Sequence, residues 1–383
     1  MRDVSVRRSA LAALEIDLGA LRRNAARLRE LSAPARFAAV LKANAYGHGL
    51  ARVARALAYD VDALCVYRAE EAFEIREAGV AAPIIVLGPV DADELAALHA
   101  HGVAISLWDS GSYRDDVVAA ARRRGTPFAV HAKIETGLTR LGIDPLRAAP
   151  ALAAYAGEPA LRLEGAYTHL AAVEELESSY TLLQLRRFED ALRPVAALLA
   201  EQGTKRHAAA SAAAMLFPRA RLDLVRVGIA AYGLWPSAQT RAALVQPLVL
   251  EPVLAWRAPL VLVRDVPAGT PVGYGCTFTT LRPSRIGVLP IGYAEGIPRA
   301  VSNRGHVLVG GVRAPIVGRV CMNMTFVDVT DVPGARAGQA ATLIGPDGDA
   351  AISADEWADW ADTINYEIVA RLPAEIPRIY AGA

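Results

Sequence analysis

Lysine is almost missing from this 383-residue chain: among 41 basic residues it occurs only at Lys42, Lys133 and Lys205. Arginine supplies the rest of the positive charge and stays protonated up to about pH 12, so the few lysines mark places where amine chemistry is wanted. Cysteine is equally sparse. Cys65, Cys276 and Cys321 are odd in number, far apart and without CxxC spacing, which fits neither a disulfide framework nor a structural zinc site and suits a reducing cytoplasm. The net charge of +1 is too small a surplus for nucleic acid or an anionic membrane surface as main partner. No apolar run reaches membrane-spanning length without a charge. Arg2, Arg7 and Arg8 are followed by Glu15 and Asp17, not by a secretory hydrophobic segment.

What the chain does have is apolar bulk, 53% of its residues, enough for a large core, and its length predicts two domains. Over residues 11–245, β-branched runs alternate with helical patterns. The expected strands are Phe37–Lys42, Ala63–Tyr67, Ile84–Gly88, Val103–Leu107, Phe128–Ile134, Leu161–His169, Arg206–Ala210 and Leu224–Val227. Helical periodicity fills Leu21–Leu31, Leu50–Ala58, Ala69–Ala78, Ala92–Ala100, Tyr113–Arg124, Pro145–Ala156 and Tyr180–Glu201. Eight such units, with a short last helix, predict an α/β fold closed as a (β/α)8 barrel of the TIM type. From about Gln246 the texture changes to short strand-like runs punctuated by Pro and Gly, without helical periodicity until Ser353–Ala361. That predicts a mainly β C-terminal domain over 246–383, with residues 1–10 as a candidate addition.

A barrel builds its site from the C-terminal ends of its strands. Lys42 ends the first expected strand, Lys133 the fifth and His169 the sixth; Arg140 follows the fifth, Ser211 follows the seventh and Arg226 lies in the eighth. Any one of these has a bland reading, such as a lysine snorkelling from a strand end or a satisfied core histidine. Together they ring one mouth. A lysine there can lose its proton and condense with a carbonyl, and the N–H groups of Gly228 and Ile229 suit a phosphate. A Schiff-base lysine with a phosphate cradle points to pyridoxal phosphate.

The run Val40-Leu-Lys-Ala-Asn-Ala-Tyr-Gly-His-Gly49 resembles the cofactor-attachment motif of alanine racemases, and further segments follow in that family's order. They are Lys133-Ile-Glu-Thr-Gly-Leu-Thr-Arg-Leu-Gly142, Glu164-Gly-Ala-Tyr-Thr-His169, Val225-Arg-Val-Gly-Ile229, Val272-Gly-Tyr-Gly275, Leu289-Pro-Ile-Gly-Tyr293, Gly318-Arg-Val-Cys-Met322 and Thr363-Ile-Asn-Tyr-Glu367. The resemblance implies that Lys42 carries pyridoxal phosphate covalently and acts as one acid/base group. Tyr274 would be the other, reaching in from the partner subunit of a homodimer. Racemisation needs such a pair, because one base removes the α-proton on one face while an acid returns it on the other. It further implies that Tyr46, Ser211, Gly228, Ile229 and Tyr366 hold the phosphate, that Arg226 faces the pyridine nitrogen, and that His169 braces Arg226. Arg140 would bind the substrate carboxylate, with Lys133 carbamylated beside it; Met322 would offer its backbone N–H to the carboxylate from the partner chain, and Tyr293 would line the approach.

The implied activity is interconversion of L- and D-alanine, supplying D-alanine for cell-wall peptidoglycan, in the cytoplasm and without metal. Four positions depart from the family's commonest pattern: Ala210 where asparagine is frequent, and Asn323, Glu295 and Glu135 where aspartate is. Asn323 lies next to the expected substrate-binding Met322, so a racemase for serine or a broader set of amino acids stays open. A decarboxylase of the same architecture would need a Gly-rich phosphate loop, which we do not find. A non-catalytic pyridoxal-phosphate carrier would lack the β domain and Tyr274.

Overall fold

The computed structural model describes residues 12–108, 111–174, 179–245 and 247–382. The chain divides into two compact units. One comprises Ala20–Ala45 and Leu50–Glu251; the other comprises the segment ending at Gly19, Tyr46–Gly49 and the segment from Pro252 onward.

All eight expected barrel strands form. Numbered after an N-terminal strand β1 (Ala13–Asp17), they are β2 (Arg36–Val40), β3 (Ala63–Val66), β4 (Ile84–Val86), β5 (Val103–Leu107), β6 (Phe128–Lys133), β7 (Leu161–Tyr167), β8 (Lys205–His207) and β9 (Leu224–Val227). They pair in parallel in the order β8-β7-β6-β5-β4-β3-β2-β9. The seam between β8 and β9 is bridged by two backbone bonds, Asp223 N–H to Arg206 C=O at 3.0 Å and Arg226 N–H to Ala209 C=O at 2.9 Å. The sheet is therefore nearly closed. Its strands are buried almost throughout, as a sheet covered on both faces requires.

Helices pack between the strands where the periodicity predicted them, with one difference. The long pattern Tyr180–Glu201 is broken into Ser179–Leu192, a 3₁₀ turn Arg193–Val195 and Ala196–Glu201. Pro194 has no N–H to give and its ring crowds the preceding turn, so the helix breaks there.

In the second unit β1 lies antiparallel to Leu254–Pro259 and parallel to Arg378–Ala381, inside a seven-stranded sheet. A three-stranded sheet joins Leu262–Val266, Ser284–Leu289 and Thr325–Asp328. A short ladder of Pro271–Val272 with Phe278–Thr279 presents the turn carrying Tyr274. The helix Ala354–Ala361 is started by Ser353, whose hydroxyl accepts from Glu356 N–H in a capping box.

Candidate active site

The first βα connection is unusual. Strand β2 ends at Val40, two residues before the expected lysine end, and Lys42 opens a turn in which Ala43, Asn44, Ala45 and Tyr46 have φ between 52° and 56°. Each such non-glycine residue costs about 1–2 kcal/mol. Three contacts hold the turn in place. Ala45 N–H donates to Leu41 C=O at 2.8 Å, Leu50 N–H donates to Asn44 Oδ1 at 2.8 Å, and Ala43 N–H donates to Glu71 Oε1 at 2.6 Å. Glu71 Oε2 also accepts from Tyr67 and Arg68 N–H, at 2.8 and 3.1 Å, so one carboxylate ties the end of β3 to the lysine turn. Sequence reasoning missed Glu71. A glutamate in a first helical turn is a common cap, and only the folded chain shows its second duty.

Lys42 is open to solvent at the mouth, not sunk in an apolar pocket. The protein packed round it and the charge of Arg140 nevertheless lower its pKa, while Glu71 opposes them. Lys133, 5% exposed at the end of β6, is pushed down to about 8 by burial and by Arg140 and Arg226. Burial and the charges of Arg226, Arg140, Lys133 and Lys42 hold His169 down to about 3, so this imidazole is neutral. Arg140 extends from a loop gathered around the Glu135 carboxylate, which accepts from the N–H groups of Gly137, Leu138 and Arg140 at 2.5, 2.6 and 3.2 Å. Burial opposes the charge on Glu135, yet these bonds outweigh it and bring the carboxyl below its ordinary range.

Arg226 is 3% exposed. Its guanidinium donates to the carbonyls of Thr168, His207 and Ala208 at 2.8, 3.1 and 3.2 Å, and to His207 Nδ1 at 2.7 Å. His207, at the end of β8, thus braces Arg226, a partner that the sequence reading did not name beside His169. Arginine can only donate, so His207 Nδ1 accepts and its Nε2–H donates to His131 Nδ1 at 3.0 Å. Both rings are neutral. Burial and Arg226 drive His207 well below its ordinary pKa and His131 to about 3. A Cβ on Gly165 would lie 2.0 Å from His131 Nδ1, which explains the glycine in the Glu164-Gly-Ala motif. Tyr167 stacks on His207 with centroids 4.8 Å apart, and its hydroxyl meets Ser106 Oγ at 2.7 Å.

Ser211, 4% exposed, brings its hydroxyl to Gly228 N–H at 3.1 Å and Ala230 N–H at 3.5 Å, next to buried Ile229. Lys42, Lys133, Arg140, His169, Ser211, Arg226, Gly228 and Ile229 therefore all stand at the C-terminal strand ends of the barrel unit. Its four cations are set against two carboxylates, Glu71 and Glu135, already engaged with backbone N–H groups. That donor set fits a dianionic phosphate and an aldehyde reacting with an amine.

The other expected residues lie in the second unit. Tyr46 and Tyr366 face each other with ring centroids 6.3 Å apart. Tyr274 is 73% exposed in a turn where Gly273 and Gly275 both have φ of 72°. Tyr293 and Met322 are also exposed, and their loops are knit by Tyr293 N–H to Cys321 C=O at 3.0 Å and Ala294 N–H to Met322 C=O at 2.9 Å.

A parallel barrel with a lysine and a buried arginine at its mouth, followed in the chain by a β unit, defines a barrel-plus-β class of proteins. Family models for the alanine racemase N-terminal and C-terminal domains match residues 16–236 and 253–380. Alanine racemases of Symbiobacterium thermophilum and Desulfosudis oleivorans are 41% and 39% identical, each over 96% of both chains. Among solved structures, alanine racemase from Streptomyces lavendulae superposes with a TM-score of 0.89 at 35% identity, covering 97% of each chain. The Bacillus anthracis alanine racemase with bound L-Ala-P gives 0.87 at 34% identity, covering 97% of this chain and 96% of that one. The chain belongs to the alanine racemase family.

Proposed function

We propose that this protein interconverts L- and D-alanine with pyridoxal phosphate held at Lys42, and so supplies D-alanine for cell-wall peptidoglycan in the cytoplasm. The observation that carries this reading is the buried Arg226, bonded to the carbonyls of Thr168, His207 and Ala208, standing at the same strand ends as Lys42 and the Ser211–Gly228 contact. The cofactor, when bound, withdraws electrons from the substrate's α-carbon and makes its proton removable. Ser211 and the N–H groups near Gly228 and Ile229 hold the phosphate, with Tyr46 and Tyr366 as further holders. Arg226, a permanent donor, would meet the cofactor's ring nitrogen and leave it unprotonated, which would restrain side reactions. Arg140 takes the substrate carboxylate, and Lys133, with its lowered pKa, is the amine available for carbamylation beside it.

Lys42 moves the α-proton on one face and Tyr274 of a partner subunit on the other, with Met322 and Tyr293 lining the partner's contribution. The exposure of Tyr274, Tyr293 and Met322 at 73%, 43% and 57% supports a homodimer in which they are covered. The test mixes inactive Lys42→Ala protein with inactive Tyr274→Phe protein. After subunit exchange, one site in each heterodimer inherits both intact residues and racemises L-alanine. No recovered activity overturns the shared site. In the unmixed protein, borohydride should fix the cofactor to the peptide containing Lys42, and label on Lys133 or Lys205 defeats the assignment. A panel of single L-amino acids, read by formation of the D-isomer, separates alanine from serine or a broader preference.

A further inference from the structure

The loop carrying Arg140 is held in two distinct ways. Its neck is tied by Glu135 N–H to Ile143 C=O at 2.9 Å and Ile143 N–H to Lys133 C=O at 2.8 Å. Within it the Glu135 carboxylate collects the N–H groups of Gly137, Leu138 and Arg140. These bonds are all internal to the loop and its neck. Its carbonyl side is met from outside, by the helix Ser179–Leu192. Tyr180 Oη donates to Gly137 C=O at 2.7 Å, and Arg187 Nη1 donates to Thr136 C=O at 3.1 Å. Between them Gln184, fully buried, directs Nε2 at Thr136 Oγ1 at 3.4 Å and at His169 C=O at 3.3 Å, while its Oε1 accepts from Ala171 N–H at 2.8 Å.

Positions 180, 184 and 187 share one helix face. One amide therefore spans the loop of Arg140 and the loop of His169. Thr136 Oγ1 meets Thr168 Oγ1 at 2.7 Å, and the Thr168 carbonyl in turn accepts from Arg226. Gly137, at φ +133°, completes the fit: a Cβ there would lie 2.3 Å from Tyr180 Oη and 3.1 Å from Arg187 Nη1.

We propose that Tyr180, Gln184 and Arg187 are positioning residues that hold Arg140 in register for the substrate carboxylate, with Gln184 coupling that loop to the His169 loop. The inference rests on Arg140 binding the carboxylate. Tyr180→Phe removes one partly exposed hydroxyl and keeps the ring, Gln184→Met keeps length and apolar bulk, and Gln184→Glu keeps the acceptor for Ala171 while opposing the His169 carbonyl. In each variant the KM for alanine should rise about 3- to 10-fold with kcat changed less than about 3-fold, the size of one or two lost hydrogen bonds. Propionate, which has the carboxylate without the amine, should lose affinity in parallel. Hydrogen exchange should quicken in a peptide covering residues 135–142 and not in one covering 158–165. Unchanged KM and propionate affinity overturn the proposal, whether or not the loop exchanges faster. If the wild-type protein racemises no amino acid, the reading of the site fails, and propionate affinity together with exchange still decides the clamp.

Discussion

Asn323 donates its side-chain amide to Glu295 Oε1 across 2.7 Å, so two of the positions at which this chain departs from its family's commonest pattern are partners of each other. Glu295 Oε2 also accepts from Gly292 N–H at 2.8 Å, and the pair joins the loops that carry Tyr293 and Met322. The amide therefore matches the glutamate, and restoring aspartate at position 323 alone should harm the protein. Asn323→Asp should cost about 0.5–1 kcal/mol near neutral pH, since it replaces a donor with a like charge. Adding Glu295→Gln should recover this loss, and urea unfolding of the three variants measures the cycle.

Glu71 should set both the shape and the charge state of the lysine turn. Glu71→Gln leaves an oxygen for Ala43 N–H but removes the negative charge that favours protonated Lys42. Without it, the opposing effects of the protein packed round the amine and of Arg140 act alone and the amine deprotonates at lower pH. In cofactor-free protein, acylation of the Lys42 peptide should then begin at a lower pH than in the wild type. An unchanged profile refutes the coupling.

Three histidines of the barrel unit make stability dependent on pH in one direction. His131, His169 and His207 are held neutral in the folded chain by burial and by the arginine and lysine charges. An unfolded chain protonates them near pH 6.5, so below that pH it binds more protons than the folded one, and stability falls as the pH drops from about 6.5 toward 3. Each histidine contributes up to about 1.4 kcal/mol per pH unit in that window. His207→Asn keeps an acceptor facing Arg226 and should remove about one proton from the slope. Denaturant titrations between pH 7 and 5 measure the difference.

The barrel was legible because each strand is a short apolar run set off from a helical period, and a buried parallel sheet demands such runs. The site residues at strand ends followed from the same rule. The brace on Arg226 was not legible. His207 closes β8 whereas His169 lies two residues beyond β7, and only the folded course of these strand ends shows that the His207 ring meets the guanidinium. Glu71 and Gln184 were hidden for a related reason. Each sits on a helix as an ordinary polar residue, and its function depends on groups distant in sequence, Ala43 N–H for Glu71 and His169 C=O with Thr136 Oγ1 for Gln184. The left-handed turn at Ala43 to Tyr46 carries no glycine until Gly47, so composition gives no sign of it.

Replacing Tyr274 with Phe removes a proton donor while keeping the ring, so binding should survive and turnover should fall. General acid/base groups contribute about 100- to 10,000-fold, roughly 3 to 5 kcal/mol of barrier. If Lys42 and Tyr274 serve opposite faces, the variant should also be lopsided. In deuterated water the α-proton of one enantiomer of alanine should still exchange through Lys42, while the other enantiomer exchanges far more slowly. A single base reaching both faces predicts equal slowing of the two exchanges, or none. Both rates can be followed by NMR on the separate enantiomers. Near-wild-type racemisation by Tyr274→Phe would end the two-base reading, and because the exposed ring lies in a surface turn, the substitution should leave the fold intact while that question is asked.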